Sequence, residues 1–343
     1  MMETNYWKLT NNQLKDCEAI DEAATMLING EVVAFPTETV YGLGANATDH
    51  DAVNKIFQAK GRPQDNPLIA HVSDRVQMEK LVGPWPGYVD NLIEAFTPGP
   101  LTFVLPSNGI CATNVTAGLS TIGVRIPSHP VAQQLLKACQ LPIAAPSANL
   151  SGKPSPTTAN HVFADLNGRI SGIVDGGPTG VGLESTVIDC TQEIPVILRP
   201  GGITQEQIEK VTGVVMTDPA LANQSDKPKS PGMKYRHYSP EVPLWIIDGS
   251  LKRMQQEITG QKETGNRVGL IASNHIVDKL VADEAIALGE NLSEIAANLY
   301  HALRTFKQSN VDIIICEAFP EKGIGQAVMN RLKKAASNYI YRD

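Results

Sequence analysis

Polar residues that can take part in chemistry follow a short apolar segment near the start of the chain. Residues 31–35 predict a buried strand, Pro36 ends it, and the chain then carries hydroxyl groups, a carboxylate and two glycines as far as Gly44. Residues of this kind at the carboxyl end of a strand commonly build the ligand site of an α/β protein. We therefore predict that the segment 34–44 forms the floor of an active site.

Two cations, Lys60 and Arg62, stand at the end of a predicted helix that follows this segment. Most such pairs are ordinary surface cations. Here the preceding loop is rich in glycine and hydroxyl groups, and a guanidinium fork beside an ammonium point charge suits a phosphate. Ser147 and Asn149 follow another predicted strand, where a hydroxyl and an amide can bond phosphate oxygens or a magnesium-bound water. Together these four side chains predict a phosphate site.

Two further polar side chains interrupt predicted strands. His71 lies in an apolar strand, where a lone histidine is more often a hydrogen-bonded core residue than a catalyst. Arg125 also lies in a strand, and a guanidinium there must either be paired or face a ligand carboxylate, so both readings stay open. Ser185, Thr186 and Arg199, from the last strands of the first domain, can line the same cleft.

Several familiar site motifs are absent or poorly matched. The segment 42–47 loosely matches the glycine-rich dinucleotide fingerprint, but basic Lys60 and Arg62 stand about 20 residues on, where a ribose-binding carboxylate would be expected. A Walker loop does not occur in the sequence, and neither does Gly-x-Ser-x-Gly, a metal-spaced pair of histidines or a pair of carboxylates suited to hydrolysis. The sequence therefore predicts no metal-binding side chains.

Composition argues against other classes of protein. Hydrophobic residues make up 42% of the chain and charged residues 19%, without an apolar run of about 18 residues or a basic-then-apolar N-terminus, so we expect a cytoplasmic protein without a membrane span. Five widely spaced cysteines fit reduced thiols better than disulfides or a zinc site. The formal net charge of −7 argues mildly against nucleic acid as the main ligand.

Strand and helix patterns alternate along most of the chain and predict an α/β fold with a partly parallel sheet. Periodicity is lost over 217–240, which predicts a linker, although its second half is rich in basic and aromatic residues. A new α/β pattern follows. We predict a catalytic domain over 1–216, a linker or lid over 217–240, and a smaller three-layer Rossmann-like domain over 241–343.

A series of short motifs occurs in a fixed order. They are Phe-Pro-Thr-Glu-Thr-Val-Tyr-Gly-Leu-Gly, Lys-Gly-Arg-Pro, Asn-Pro-Leu, Pro-Gly-Pro-Leu-Thr, Arg-Ile-Pro, Pro-Ser-Ala-Asn-Leu-Ser-Gly and Glu-Ser-Thr-Val. In this order they make residues 17–202 resemble the YrdC-like family, and specifically the threonylcarbamoyl-AMP synthases. Residues 230–240 and the last hundred or so residues resemble the longer members, which carry an extra C-terminal domain. The resemblance implies a twisted mixed sheet with flanking helices and an open cleft.

The resemblance also implies a reaction. L-Threonine, bicarbonate and ATP would give L-threonylcarbamoyl-AMP and pyrophosphate, with magnesium accompanying ATP. The product would pass to a downstream tRNA threonylcarbamoyl transferase for modification of the adenosine next to the anticodon. A threonine carbamate is an anion that attacks an anionic α-phosphate, so catalysis would come mainly from charge neutralisation and in-line positioning.

Site residues follow from the resemblance position by position. It implies that the phosphates and magnesium are met by Lys60, Arg62, Ser147 and Asn149. It implies that threonine is held by Thr39, His71, Arg125, Ala145 and Ser185, with Arg125 on the carboxylate. It implies that ATP is also contacted by Asn66, Thr121, Ser155, Arg199, His237 and Tyr238.

Two alternatives remain from the sequence. One is a relative that transfers carbamoyl groups from carbamoyl phosphate, which normally belongs to a much larger chain with zinc-finger-like cysteine motifs that this sequence lacks. The other is a module that binds double-stranded RNA or the ribosome, and the acidic balance without interleaved aromatic and basic residues counts against it. Direct RNA contact is accordingly expected to be weak.

Overall fold

The structure is a computed structural model that describes residues 2–9, 17–219 and 238–340, and its chain divides into two units. The first unit contains the described residues up to 219 except Gly152–Pro154 and Val181–Leu183. The second contains those two segments and residues 238–340. Most of the predicted linker lies outside the described residues, so the boundaries 1–216, 217–240 and 241–343 stay a prediction.

One mixed sheet organises the described part of the first unit. Its strands are β1 (Asn5–Lys8), β2 (Val33–Phe35), β3 (Gly42–Asn46), β4 (Ile69–His71), β5 (Leu101–Pro106), β6 (Thr121–Arg125), β7 (Ile143–Ala144), β8 (Gly172–Asp175), β9 (Thr186–Asp189), β10 (Val196–Arg199) and β11 (Met216–Thr217). Their order across the sheet is β1-β8-β2-β3-β7-β4-β6-β5-β9-β10-β11. Strands β4 and β6 run parallel, whereas β7 runs antiparallel to both of its neighbours, β3 and β4. The predicted mixed α/β sheet is confirmed.

Helices of the first unit pack on this sheet. They are α1 (Glu18–Ile28), α2 (His50–Lys60), α3 (Arg75–Leu81), α4 (Tyr88–Phe96), α5 (Thr113–Thr116), α6 (Pro130–Cys139), α7 (Ala159–Leu166) and α8 (Gln205–Thr212). Alternating side chains of β2 enter different cores, because Val33 and Phe35 pack with α1 and α6 whereas Ala34 packs with α2. At β2, helices therefore cover both faces of the sheet.

Local sequence signals set the ends of the helix that carries the first predicted cations. The Asp49 carboxylate accepts hydrogen bonds from the backbone of Asp51 and Ala52 and so begins α2. Gly61 ends it in the left-handed conformation, with φ of 60°, which glycine adopts without strain. Lys60 is consequently fixed as the last residue of α2.

The segment 42–46 corrects one sequence interpretation. We expected loop there, but the residues form β3, which pairs antiparallel with β2 and β7. A Cβ atom on Gly44 would lie 2.8 Å from side-chain carbons of both Ile143 and Phe35. Glycine therefore serves close packing at this position rather than a turn, and the predicted loop shortens to residues 36–41.

A smaller parallel sheet forms the second unit. Its strands are β12 (Leu244–Ile247), β13 (Val268–Ala272), β14 (Glu284–Ala287), β15 (Ile313–Glu317) and β16 (Asn338–Ile340), and its helices are α9 (Leu251–Glu263), α10 (Asn274–Val277), α11 (Leu292–Lys307) and α12 (Gly325–Ala335). The strand order is β14-β13-β15-β12-β16, with parallel pairing throughout. Leu270 packs with α9, and Gly269, on the opposite face of β13, lies against Phe306 of α11. This arrangement confirms the predicted three-layer α/β domain.

Two expectations from composition can be compared with the structure. All five cysteines are free thiols, and four of them are buried. Among the described residues, the helices are too short or too polar to cross a bilayer.

Candidate active site

Lys60 joins the end of α2 to the turn that follows β7. Its side chain is 3% exposed, and the ammonium donates to the backbone carbonyl of Ser147 and, at 2.6 Å, to that of Asn149. The Asn149 Oδ1 atom lies 3.5 Å from the same nitrogen. A buried ammonium surrounded by carbonyl oxygens fixes the turn, because each contact compensates for lost hydration.

The turn after β7 presents oxygen atoms at defined positions. The Ser147 hydroxyl donates to Asn149 Oδ1 at 2.5 Å, and the Asn149 amide donates to the Leu150 carbonyl at 2.7 Å. A bridge between Gly42 and Ser147 connects the turn to β3. Ser147 and Asn149 are thus held in place before any ligand arrives, as a phosphate site requires.

Arg62 and Asn66 lie beside the start of β4. The Arg62 guanidinium donates to the Asn66 backbone carbonyl at 3.2 Å. The Asn66 side chain is 1% exposed, and neither its oxygen nor its nitrogen has a hydrogen-bond partner in the described structure. Leaving a buried polar group without a partner costs about 1–3 kcal/mol, so the amide is suited to a ligand that supplies the missing partners.

Arg125 ends β6 and contacts three different groups. Its Nε donates to the Gly99 carbonyl at 3.3 Å, its Nη1 donates to the Thr39 hydroxyl at 3.0 Å, and its Nη2 lies 2.6 Å from Glu38 Oε1. The arginine side chain is only 4% exposed. The sequence left open whether Arg125 is paired or faces a ligand, and in this structure it is paired with Glu38.

Thr39 is held by a hydroxyl network in the loop 36–41. The Thr37 and Thr39 hydroxyls lie 2.8 Å apart, and Thr37 also donates to the Val40 carbonyl at 2.6 Å. Both threonines are buried. The backbone of this loop is therefore fixed next to Arg125, as expected for the floor of a site.

His71 is the register partner of Arg125 on the neighbouring strand. Its ring Nδ1 lies 3.2 Å from the Ile69 carbonyl, so this nitrogen carries the proton and donates. Burial, with Arg125 as a second cause, lowers the pKa of His71 to about 3. The imidazole is consequently neutral near pH 7 and cannot compete with Arg125 for an anionic ligand.

Ser185 and Arg199 form one buried group rather than separate contacts. Arg199 Nη2 donates to the Ser185 carbonyl at 2.9 Å and lies 3.2 Å from the Ser185 hydroxyl. The Ser185 hydroxyl also lies 2.8 Å from that of Thr102. Ser155 donates to the neighbouring Glu184 carboxylate at 2.6 Å. Ser185 is implied for threonine, whereas Arg199 and Ser155 are implied for ATP. Arg199 contacts Ser185 directly, and Ser155 contacts Glu184, the residue before Ser185.

The sheet separates the remaining site residues into two ends. His71 and Arg125 end the parallel strands β4 and β6. Asn66 precedes β4, Thr121 begins β6, and Ser147 follows β7, which runs antiparallel to β4, so these three lie at the opposite end. Ala145, implied for threonine, donates to the Ile69 carbonyl at 2.9 Å near this second end. At about 3.3 Å per residue, strands of three to five residues separate the ends by roughly 10–15 Å.

Two further residues, His237 and Tyr238, were implied for ATP. His237 lies outside the described residues. Tyr238 belongs to the second unit, where its ring stacks on Tyr300 with centroids 5.4 Å apart and lies under the Arg331 guanidinium at 5.9 Å. The expected ATP contacts of His237 and Tyr238 stay predictions.

Sequence reasoning missed the partner of Arg125. Glu38 stands between Thr37 and Thr39 in the first motif, and its charge alone gave no reason to place it against a strand residue. The available signal was that a predicted buried arginine needs a counter-ion and that Glu38 stands in a segment expected to line the same site. The Gly99 carbonyl was also missed, since a backbone acceptor leaves no trace in residue types.

Comparison with known proteins adds independent findings. A family model described as "Telomere recombination", covering Sua5, YciO and YrdC proteins, matches residues 25–201, and a second, described as "Threonylcarbamoyl-AMP synthase, C-terminal domain", matches residues 203–337. A threonylcarbamoyl-AMP synthase of Bacillus subtilis is 52% identical over 99% of this chain and 100% of its own length. One from Schizosaccharomyces pombe is 40% identical over 93% of this chain and 88% of its own length.

A solved structure extends the similarity to three dimensions. The crystal structure of Pyrococcus abyssi Sua5 complexed with L-threonine is 46% identical in sequence, with a TM-score of 0.93, and covers 99% of both chains. The similarity therefore includes both units. This chain belongs to the Sua5/YrdC family, in the form that carries the additional C-terminal domain.

Proposed function

We propose that this chain is an L-threonylcarbamoyladenylate synthase, which converts L-threonine, bicarbonate and ATP to L-threonylcarbamoyl-AMP and pyrophosphate. Relatives that match it over nearly their whole length carry the name threonylcarbamoyl-AMP synthase, and a related structure holds L-threonine. The observation on this chain that best supports the proposal is that buried Arg125 ends β6, whereas the Ser147 turn, supported by buried Lys60, lies toward the opposite end of β4. A phosphate-binding end and a carboxylate-binding end are what this reaction needs.

At one end, Arg125 is the group we assign to the threonine carboxylate. The guanidinium is buried beside the Thr39 hydroxyl and the neutral imidazole of His71. A low-polarity surrounding strengthens its attraction for an anion, and the planar fork can hold a carboxylate by two hydrogen bonds.

At the other end, we assign the ATP phosphates to Arg62, Ser147 and Asn149, with Lys60 beneath the turn. Threonine and bicarbonate form the carbamate with loss of water. A carbamate oxygen then attacks the α-phosphorus, and the bond from that phosphorus to the bridging oxygen of pyrophosphate breaks. Negative charge therefore moves onto the leaving pyrophosphate. Fixed cations and oriented donors at this end would stabilise that charge without needing a protein nucleophile.

Magnesium would accompany ATP in this scheme. No group of three or more His, Cys, Asp or Glu side chains suited to a metal occurs in the parts of the chain that the structure describes. The Ser147 hydroxyl and Asn149 amide oxygen are the neutral oxygen donors that Mg²⁺ accepts, directly or through water, when phosphates supply most of its charge. These residues thus fit a magnesium ion that enters with the nucleotide.

The product defines the next step. L-Threonylcarbamoyl-AMP is a mixed anhydride, and we propose that a separate transferase uses it to modify tRNA next to the anticodon. Direct RNA binding by this chain would be weak, in keeping with its net charge of −7.

The proposal can be tested with α-labelled and γ-labelled ATP. We expect pyrophosphate release that requires threonine and bicarbonate together, with the α-label recovered in a threonylcarbamoyl adduct. Release without threonine would identify an ATPase instead. Salt-sensitive retention of double-stranded RNA on a filter, without any turnover, would favour the RNA-binding alternative.

A further inference from the structure

Each guanidinium nitrogen of Arg125 lies against a protein group in this structure. The Gly99 carbonyl, the Thr39 hydroxyl and the Glu38 carboxylate each take one of its three nitrogens. Gly99 is fixed by its own backbone bond to Ile126 at 2.8 Å, and Thr39 belongs to the buried hydroxyl network. Of the three partners, Glu38 is therefore the one that a ligand carboxylate can replace.

The contact between Glu38 and Arg125 is an ion pair without an accompanying hydrogen bond. Glu38 Oε1 lies 2.6 Å from Arg125 Nη2, and neither atom has a hydrogen-bond partner in the described structure. An ion pair without directed hydrogen bonds is weaker than the parallel two-bond arrangement between a guanidinium and a carboxylate. A ligand that achieves that arrangement would bind Arg125 better than Glu38 does.

Glu38 can leave without moving the backbone. Its neighbours Thr37 and Thr39 hold the loop through their hydroxyls, whereas the Glu38 side chain is 14% exposed and reaches the surface. Its second oxygen accepts a hydrogen bond from the Ser128 backbone at 3.1 Å, on an exposed residue. The Glu38 side chain, and not the loop backbone, is therefore the part that would have to move to free Arg125.

We propose that the Glu38 carboxylate occupies the position on Arg125 that the carboxylate of L-threonine takes, and that threonine binds by displacing it. Glu38 is then a residue that determines substrate affinity and specificity, since only a ligand with a carboxylate recovers the charge pairing of Arg125. An amine, an alcohol or water entering the same space would leave the buried guanidinium without its counter-ion. This inference rests on the proposed function, because it takes threonine as the ligand of Arg125.

Glu38→Gln in the full chain tests the displacement directly. Glutamine keeps the shape and can still accept from Ser128, but it removes the competing negative charge. Calorimetric titration with L-threonine should show a dissociation constant about three- to tenfold lower than for the unaltered protein. L-Threoninamide, which lacks the carboxylate, should show no such gain. Glu79→Gln, which breaks an exposed pair with Arg75, is the matched control and should change neither titration.

Each outcome of these titrations decides something. Weaker threonine binding to Glu38→Gln would mean that Glu38 itself holds the amino acid. An equal increase in affinity for threoninamide would mean that Glu38 acts only as a steric barrier. Either result overturns the inference. Threonine that binds all variants alike also overturns it while leaving the proposed function intact. Threonine that binds none of them overturns both. Glu38→Asp, which keeps the charge but is one methylene shorter, should give an intermediate affinity and serves if the glutamine variant does not fold.

Discussion

Two buried cations of the first unit are held by different kinds of partner. Lys60 donates to the backbone carbonyls of the turn that it supports. Arg125 also donates to the Gly99 carbonyl and the Thr39 hydroxyl, but its counter-ion is the side chain of Glu38. Backbone carbonyls cannot leave without unfolding the turn, but a carboxylate side chain can rotate away. The comparison indicates that the Lys60 end is preorganised for its ligand, while the Arg125 end exchanges an internal anion for an external one.

The difference suits the two proposed ligands. Phosphates carry several charges and bind well to a rigid set of donors, so a prebuilt turn loses little on binding. A single amino-acid carboxylate brings only one charge, and an internal competitor makes its binding selective. The type of partner around a buried charge is therefore more informative about function than the charge itself.

The largest expected effect is at the preorganised end. Lys60→Ala should lower the rate of threonine-dependent pyrophosphate release by about 100- to 1,000-fold, equivalent to ~2.7–4 kcal/mol of transition-state stabilisation. It should also lower the denaturation midpoint in urea, because the carbonyls of Ser147 and Asn149 lose their donor. Lys55→Ala, in the same helix but paired with Glu31 near the surface, is the control. Turnover at the unaltered rate in Lys60→Ala would contradict the assignment.

The second effect is specific to one substrate. Arg125→Ala should raise the threonine KM by about 10- to 150-fold and change the ATP KM far less. The expected factor corresponds to the loss of a hydrogen bond to a charged group, which contributes ~1.5–3 kcal/mol. The variant leaves Glu38 without its partner, so adding Glu38→Gln should recover stability but not threonine affinity. Equal weakening of both substrates in the single and the double variant would show that Arg125 has only a structural role.

A third effect concerns pH at the exchangeable end. His71 has a pKa lowered to about 3 in the folded chain, below the value of about 6.5 expected when unfolded. Protonation therefore favours the unfolded state, and the stability associated with neutral His71 is full above pH 6.5 and is lost as the pH falls toward 3. Between pH 6 and pH 4 the loss should approach 1.4 kcal/mol per pH unit. Urea titrations of His71→Asn should lack this pH-dependent loss of unfolding free energy. If the unfolding free energy of the variant fell with pH as steeply as that of the unaltered protein, a neutral buried imidazole would be contradicted.

The smallest effect separates binding from stability. Asn66→Leu removes a buried amide whose side-chain atoms have no hydrogen-bond partner in the described structure, so the unfolding free energy should stay the same or rise. ATP affinity should fall about fivefold, as for the loss of a ~1 kcal/mol hydrogen bond. Calorimetry with an ATP analogue and urea denaturation measure the two quantities. A clear loss of stability with unchanged ATP affinity would make Asn66 a structural residue.

Much of the fold could be predicted because the apolar periodicity is strong in helices and strands that pack against the core. The helix that carries Lys60 was predicted from its apolar face, and the structure adds Gly61 as the residue that ends it. At the start of α11, the Asn291 side chain accepts from the Glu294 backbone, which is a signal local to the segment. The missed strands lack such patterns. Strand β3 is rich in glycine because its neighbours leave no room for side chains, and β14 is an edge strand with alternating exposure. These features depend on tertiary neighbours and not on the segment itself.

The site shows the same limit. Residue types and motif order predicted which side chains matter, including Lys60 and Arg125. They did not predict that Lys60 is bonded to the Ser147 turn, that Glu38 occupies Arg125, or that Arg199 lies on Ser185, because these pairs join residues that are 14 to 89 positions apart. Which partner a polar group selects follows from the register of the sheet, and register is not visible in a single sequence.

The most direct test of the comparison is a crystal structure with L-threonine and a non-hydrolysable ATP analogue bound together. We predict the threonine carboxylate within hydrogen-bond distance of the Arg125 guanidinium, the Glu38 carboxylate rotated away from it, and the phosphates at Arg62 and Ser147 with the Lys60 contacts unchanged. A structure in which threonine is bound elsewhere and the contact between Glu38 and Arg125 remains intact would contradict this account.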